Sequence, residues 1–322
     1  MISIVIPSFN ESQVLPVLHQ RLTDAARAFS QDYEILVVDD GSSDDSLEVC
    51  RRLCSADARF KVLSLTRNFG HQAALTCGLD HARGDVVAVL DADLQDPPEE
   101  LVHFLAKLDE GWDVVYAIRT KRKEGPLKRV TYHAYYRLLR ALAALEIPLD
   151  AGDFCVMRAR VVEAMRALPE RGRFVRGLRT WVGFRQVGLA YERQARFAGP
   201  PKYTFSRLVK LGLDGIVSFS YRPLQLAVVV GSLVGAGAIV LAAVVFAQYV
   251  FDWTIAGYNP RQARGWTSLM IVMLFTAAVQ LCCLGIIGEY LGRLFEEVKG
   301  RPAYLVRERL NLPPVAVSHP RE

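Results

Sequence analysis

The residues best suited to chemistry fall in three polar clusters of the first hundred, each directly after an apolar run. Ser8, Asn10 and Glu11 follow Ile2–Pro7, Asp39, Asp40, Gly41 and Ser42 close YEILVVD, and Asp91 and Asp93 follow DVVAVL. Asp91-Ala92-Asp93 places two carboxylates one residue apart. Such a pair suits a hard divalent cation, Mg²⁺ or Mn²⁺, which takes few carboxylates and completes its shell with substrate phosphates. A cation there neutralises charge building on a departing diphosphate. Any one cluster alone is also what a turn and helix cap look like. All three together make a site only if the fold brings the ends of their strands to one edge.

The intervening sequence supplies such a fold. Buried strands are expected at Ile2–Pro7, Tyr33–Asp39, Phe60–Leu65, Asp85–Leu90 and Asp113–Ile118, because their apolar runs are continuous rather than alternating. Helical patterns separate them over 11–29, 43–54, 70–82 and 98–110, with Ser42 or Ser43 expected to cap the second. Alternating strands and helices imply an α/β domain, a mostly parallel sheet with helices on both faces, whose ligands bind beyond the carboxyl ends of the strands.

The C-terminal third differs. Residues 224–251 and 266–292 are nearly free of charge and long enough to cross a bilayer, which needs about 20 apolar residues. Trp253, Tyr258 and Trp266 cluster at one interface, as an aromatic belt. The loop 252–265 carries only Arg261 and Arg264. The outer flanks carry Arg207, Lys210 and Arg222 on one side and Arg293, Lys299, Arg301, Arg307 and Arg309 on the other. The positive-inside rule therefore puts both flanks, and the N-terminal domain, in the cytoplasm. Glu289 is expected to snorkel or to pair with Arg293. Residues 203–221 and 130–145 read as amphipathic; an interfacial helix suits the first, while a core helix suits the second equally. The expected organisation is a catalytic domain over 1–202, a juxtamembrane helix over 203–222, two spans within 223–294 and a cytoplasmic tail over 295–322. No signal peptide is expected, because Met1–Ile6 runs into a strand pattern without a basic segment before it. The glycines of the spans, Gly231, Gly235, Gly237, Gly285 and Gly288, would permit close helix packing and a homo-oligomer.

The net charge of +5 has no Lys/Arg block, which argues against nucleic acid as a partner. The six cysteines form no CxxC pair and no zinc spacing, and read as reduced thiols of a cytosolic domain.

Taken in order, S3-I-V-I-P-S-F-N-E11, V37-V-D-D-G-S-S-D44 and L90-D-A-D-L-Q95 closely resemble the family 2 glycosyltransferases of GT-A fold. Arg67-Asn68-Phe69-Gly70, Ala151-Gly152-Asp153-Phe154, Arg173-Phe174-Val175-Arg176-Gly177 and Lys202-Tyr203 resemble the branch that acts on polyprenyl phosphates, and two C-terminal spans are what its bactoprenol-type bacterial members carry. The resemblance covers nearly the whole chain. It implies a Rossmann-like GT-A domain with two transmembrane helices, in the inner membrane of a bacterium, with the catalytic domain on the cytoplasmic side. Pro7, Ser8, Asn10 and Glu11 would line the nucleotide pocket. Asp39 would accept a hydrogen bond from the base, Asp40 and Gly41 would shape the turn, and Asp91 and Ala92 would meet the donor, with Asp91 at the ribose or the metal. Asp93 would be the main metal ligand, assisted by Gln95. Asp153 occupies the position of the acceptor-side carboxylate, as a base or as an orienting group. Arg119, Arg196 and Lys202 would meet phosphates. The chain departs from the family at Gly199-Pro200-Pro201-Lys202, where two prolines stiffen a loop that is usually flexible.

The implied reaction is inverting transfer of a sugar, foremost glucose from UDP-glucose, to a polyprenyl phosphate, foremost undecaprenyl phosphate. GDP-mannose or a UDP-aminoarabinose remains open as donor. A processive polysaccharide synthase would carry a Gln-x-x-Arg-Trp motif, and no Arg-Trp dipeptide occurs. A non-catalytic membrane scaffold would have no reason to retain Asp91, Asp93 and Asp153. Ending the chain after Tyr221 is expected to leave nucleotide binding and weaken activity on long-chain lipid.

Overall fold

The computed structural model describes residues 1–29, 31–120, 151–170, 172–192, 222–255, 257, 259 and 265–313. Arg196, Lys202, the Pro200-Pro201 pair, Tyr258, Arg261, Arg264 and the two amphipathic stretches lie outside them. The described residues form two units, one from 1–192 with 301–313 and one from 222–300.

The first unit is built on eight strands: β1 (Ile2–Ser8), β2 (Tyr33–Asp39), β3 (Phe60–Leu65), β4 (Val86–Val89), β5 (Val114–Thr120), β6 (Ala151–Arg158), β7 (Gln186–Glu192) and β8 (Val306–Leu310). They lie in the order β7-β5-β6-β4-β1-β2-β3-β8. Strands β4, β1, β2 and β3 are mutually parallel, as their continuous apolar runs require, and every residue of β1 and β2 is buried. Strand β6 enters antiparallel between β4 and β5, and β5 pairs with β7 in parallel. The sheet is therefore GT-A-like and mostly parallel, with β6 inserted antiparallel and β8 antiparallel at one edge.

Helices α1 (Leu15–Ala26), α2 (Ser46–Ala56), α3 (His71–His81), α4 (Leu101–Asp109), α5 (Ala159–Arg166) and α6 (Val175–Trp181) cover the sheet. Helix α1 buries Leu15, Leu18 and Leu22 at helical spacing, and α4 buries Leu101, Phe104 and Leu108. Helix α3 buries Ala74, Cys77 and Gly78 beside Leu75 and Leu79, and the small residues let its backbone approach the sheet. A Cβ on Gly78 would stand 2.2 Å from Val5 Cγ1. Neither Ser42 nor Ser43 caps α2. The cap position is Asp45, without a side-chain bond, and the helix's first amide, that of Ser46, donates to Asp44 Oδ1 at 3.0 Å. Ser42 and Ser43 are drawn away by Asn10: Asn10 N–H donates to Ser42 Oγ, and Ser43 N–H to Asn10 Oδ1, both at 2.9 Å.

The sequence leaves 295–322 as a tail, yet part of it closes the sheet. Strand β8 pairs antiparallel with β3, and Thr66 N–H donates to Leu305 O at 2.9 Å. Tyr304 Oη–H donates to Asp80 of α3 at 2.9 Å, and Arg51 of α2 pairs with Glu308 at 2.8 Å. The Asn311 amide donates to Cys54 O and Phe60 O.

The second unit is a pair of long helices, α7 (Arg222–Phe251) and α8 (Trp266–Val298). Both are long and apolar enough to cross a membrane, over Ala227–Phe251 and Phe275–Val298. Phe246, Leu281 and Leu294 point outward. Glu289 pairs with Arg293 at 3.1 Å, one helical turn on. A Cβ on any of Gly231, Gly235, Gly237, Gly285 or Gly288 would meet no atom within 4 Å, so these positions are open.

Candidate active site

The parallel strands β1, β2 and β4 end on one edge of the sheet, and their polar clusters meet there. The β1 loop is hooked to the β2 loop. Besides the Asn10 bonds, Glu11 N–H donates to Ser46 Oγ at 2.9 Å and Ser12 N–H to Asp44 Oδ2 at 3.3 Å. Asn10 holds a left-handed backbone, φ 54°, which Asn tolerates better than most residues. Pro7 lies past the last residue of β1 that pairs with β4, Val5, so its missing N–H breaks no bond of that ladder.

The β2 loop is built from its own carboxylates. Asp39, 1% exposed, receives the Ser42 N–H at 3.2 Å and the Ser64 hydroxyl at 3.0 Å. Asp40 receives the backbone N–H groups of Phe69 at 2.7 Å and Gly70 at 3.0 Å, tying the Arg67–Gly70 loop to the β2 loop. Burial raises the pKa of Asp40, and those two amides offset only part of the rise. Gly41 sits under the same loop at φ 66°, where a Cβ would be 2.4 Å from the carbonyl carbon of Arg67. The DDG sequence is thus a clamp on the loop that leads into α3.

After β4, Ala92 and Asp93 are nearly enclosed, Asp93 Oδ1 accepts the Gln95 N–H at 3.1 Å, and Leu94 is held at φ 57°. A left-handed leucine stores backbone strain, a feature that concentrates at functional loops. The buried Tyr191 hydroxyl of β7 donates to Asp96 and secures the loop.

Asp153 reaches this edge because β6 runs backwards. Val89, the last residue of β4, pairs with Cys155, and the same antiparallel register extended by two residues sets Asp91 opposite Asp153. Two residues without an assigned role in the sequence reading join them. Arg176 of α6 makes a bidentate pair with Asp153, Nε to Oδ1 at 2.6 Å and Nη2 to Oδ2 at 2.9 Å. His71, the first residue of α3, lies with Nε2 3.2 Å from Asp153 Oδ2 and 3.8 Å from Asp91 Oδ1. The signals existed: His71 directly follows the Arg-Asn-Phe-Gly loop, and Arg176 lies in the Arg-Phe-Val-Arg-Gly run. Their partner does not follow from spacing, since Asp153 is 82 residues from His71.

The electrostatics follow from these contacts. Burial alone would raise Asp153, but Arg176 and then His71 hold it well below the usual carboxylate range. Burial opposes charge on His71, yet the bond to Asp153 and the charges of Asp91 and Asp153 lift it to about 9. Asp91 is pushed up by burial and, despite His71, by Asp153, Asp96 and Asp93. Such accumulated negative charge is what a divalent cation relieves. Among the described residues no three His, Cys, Asp or Glu side chains are grouped to hold a metal by themselves. The paired carboxylates of Asp91 and Asp93 would suit a cation that draws its other ligands from a diphosphate and water. Arg119 lies on β5, whose carboxyl end is at the same edge.

A GT-A sheet with an Asp-x-Asp turn at the end of β4 and a buried carboxylate opposite it defines the class, a glycosyltransferase. Residues 3–166 match the model of glycosyl transferase family 2, and the chain belongs to that family. It is 43% identical over 308 residues to an uncharacterized glycosyltransferase of Bacillus subtilis (strain 168), covering 95% of this chain and 93% of that one. It is 38% identical over 308 residues to the bactoprenol glucosyl transferase of Shigella phage SfII, covering 95% of this chain and 97% of the relative. Among solved structures it is similar to glucosyl-3-phosphoglycerate synthase from Mycobacterium tuberculosis, at 19% identity over 67% of this chain and 77% of that one, with a TM-score of 0.45.

Proposed function

We propose that the enzyme transfers glucose from UDP-glucose to undecaprenyl phosphate at the cytoplasmic face of a bacterial inner membrane, with inversion at the sugar. The observation that carries the reading is β8. The sheet that holds the site is completed by a strand that follows two membrane-length helices. If both helices cross the bilayer, the segments before and after them belong to one folded sheet and must share one side. The cations concentrated on the outer flanks support the cytoplasm as that side. A catalytic sheet whose chain runs on through two membrane-length helices and back into the same sheet suits an acceptor whose tail stays in lipid. The bactoprenol glucosyl transferases, similar to this chain over nearly its full length, support the same acceptor and sugar.

In this reading Pro7, Ser8, Asn10, Glu11, Asp39, Asp40 and Gly41 form the nucleotide side of the pocket. Asp91, Asp93 and Gln95 hold Mg²⁺ or Mn²⁺, which when bound supplies positive charge to the departing diphosphate. Asp153 stands on the acceptor side. A phosphomonoester has its second pKa near about 6, so the attacking oxygen is mostly ionised at neutral pH and little proton removal is required. Both Asp153 oxygens are already engaged, by Arg176 and His71. Asp153 therefore orients those cations rather than acting as a base.

The test is a transfer assay on the purified enzyme in detergent, with polyprenyl phosphate, Mg²⁺ or Mn²⁺ and a panel of radiolabelled UDP- and GDP-sugars. Label from UDP-glucose alone should enter the organic phase and should stop doing so with EDTA. Label from another donor would replace the sugar assignment. No label from any donor, in folded protein, would remove the acceptor.

A further inference from the structure

Helix α6 carries a second arginine on the face that bears Arg176. Residues three apart on a helix are neighbours, so Arg179 follows Arg176 along the face turned to β6. Arg176 has its carboxylate, Asp153. Arg179 has no ion-pair partner among the described residues, although it is only 1% exposed. Its Nε and Nη2 are buried without a hydrogen-bond acceptor. Its compensating contacts are weak: the Tyr116 ring of β5, 5.1 Å from Cζ to centroid, and the Cys155 thiol of β6. A thiol is a poor acceptor and carries no charge to match a guanidinium. The Gln186 side-chain amide donates to the backbone carbonyl of Arg179 at 2.6 Å and ties this turn of α6 to β7. A guanidinium cannot shed its proton, so burial without a carboxylate is strongly unfavourable unless an anion completes the site.

Position in the sheet says which anion. The loops assigned to the nucleotide leave β1, β2 and β4. Arg179 packs on β5 and β6, which lie on the other side of β4 and on the side of Asp153. A planar guanidinium one helical turn on from Arg176 matches a phosphomonoester, which guanidinium groups bind through two parallel bonds. We propose that Arg179 is the anchor for the phosphate of the acceptor, with Arg176 as the outer cation and Asp153 as the residue that aims it. The inference rests on the acceptor assigned above and adds its binding site.

The experiment uses the full chain in detergent and compares wild type with Arg179→Met, which keeps the stem and removes the fork. The probes are a short-chain prenyl monophosphate, the unphosphorylated prenol and the nucleoside diphosphate of the active donor. The ligand-free variant should melt at or above the wild-type temperature, since an uncompensated buried charge is gone. Its affinity for the prenyl phosphate should fall at least about tenfold, the effect of losing a charge-assisted pair. Binding of the nucleoside diphosphate should not change, and KM should rise for the acceptor and not for the donor. A merely structural arginine would lower stability and leave the prenyl phosphate dependence intact, and that result overturns the proposal. Should Arg179→Met fail to fold, Arg179→Lys carries the same comparison, with weakened prenyl phosphate binding expected and undiminished binding again refuting it. Wild-type enzyme that binds the prenyl phosphate no better than the prenol removes the acceptor reading itself, and this site with it.

Discussion

Breaking the Arg176–Asp153 pair tests whether the centre of the site is held by charge. The Asp153 side chain is 4% exposed and that of Arg176 27%, so replacing the arginine strands a buried carboxylate with only His71 beside it. Removing one partner of a buried pair costs about 3–5 kcal/mol, and the partial exposure of Arg176 favours the lower end. Arg176→Met should therefore lose about 3 kcal/mol, a fall in melting temperature of about 6–12 °C for a domain of this size. Asp153→Asn should lose about 1–2 kcal/mol, because Asn still accepts one bond and Arg176 turns toward solvent. The double variant should be little worse than Asp153→Asn alone, a coupling of about 2–3 kcal/mol. Thermal unfolding of all four proteins in one detergent at one scan rate supplies the cycle. Strict additivity, within about 0.5 kcal/mol, would show that the two groups do not support each other and would refute the argument.

The remaining predictions concern the metal, pH and the sheet edge. Asp93→Asn should reduce EDTA-sensitive transfer by about 10²–10³-fold while leaving melting temperature and membrane insertion intact, and wild-type rates would remove Asp93 from the mechanism. His71 has a folded pKa of about 9, above its ordinary 6.5. Its stabilising charge is present in full below about pH 6.5 and lost as pH rises through about 9. The melting-temperature gap between wild type and His71→Gln should accordingly be widest near pH 6 and close above pH 9, and a gap that grows with pH would contradict this. A chain ended after Tyr221 lacks β8, Tyr304 and Asn311, so it should aggregate through the exposed edge of β3 rather than keep nucleotide binding. Replacing 222–300 with a flexible linker that retains 301–322 should give a monodisperse domain by size-exclusion chromatography. Equal behaviour of the two chains would show β8 to be dispensable.

Much of this architecture is legible in the residues because it depends on local pattern. The expected strands at Tyr33–Asp39 and Phe60–Leu65 coincide with β2 and β3, and Ile2–Pro7 falls one residue short of β1. Continuous apolar runs declare a strand buried on both faces wherever the rest of the chain lies. The two C-terminal helices are equally plain, since length and lack of charge suffice to mark them. The cap of α2 shows the limit. Ser42 and Ser43 have the right chemistry and position for a cap, but a loop 32 residues earlier competes for their groups.

The sequence by itself determined the parallel half of the sheet, the Asp-x-Asp turn, the membrane-length helices and the family. The tertiary structure alone decided how the acidic edge becomes a balanced site. Strand β6 had to run antiparallel to β4 for Asp153 to face Asp91, and α3 and α6 had to converge for His71 and Arg176 to reach it. Strand β8, which follows both long helices in the chain, had to pair with β3. None of these pairings has a local signal, because each is fixed by burial and charge compensation between segments far apart in the chain. Such terms act only once the chain has closed on itself.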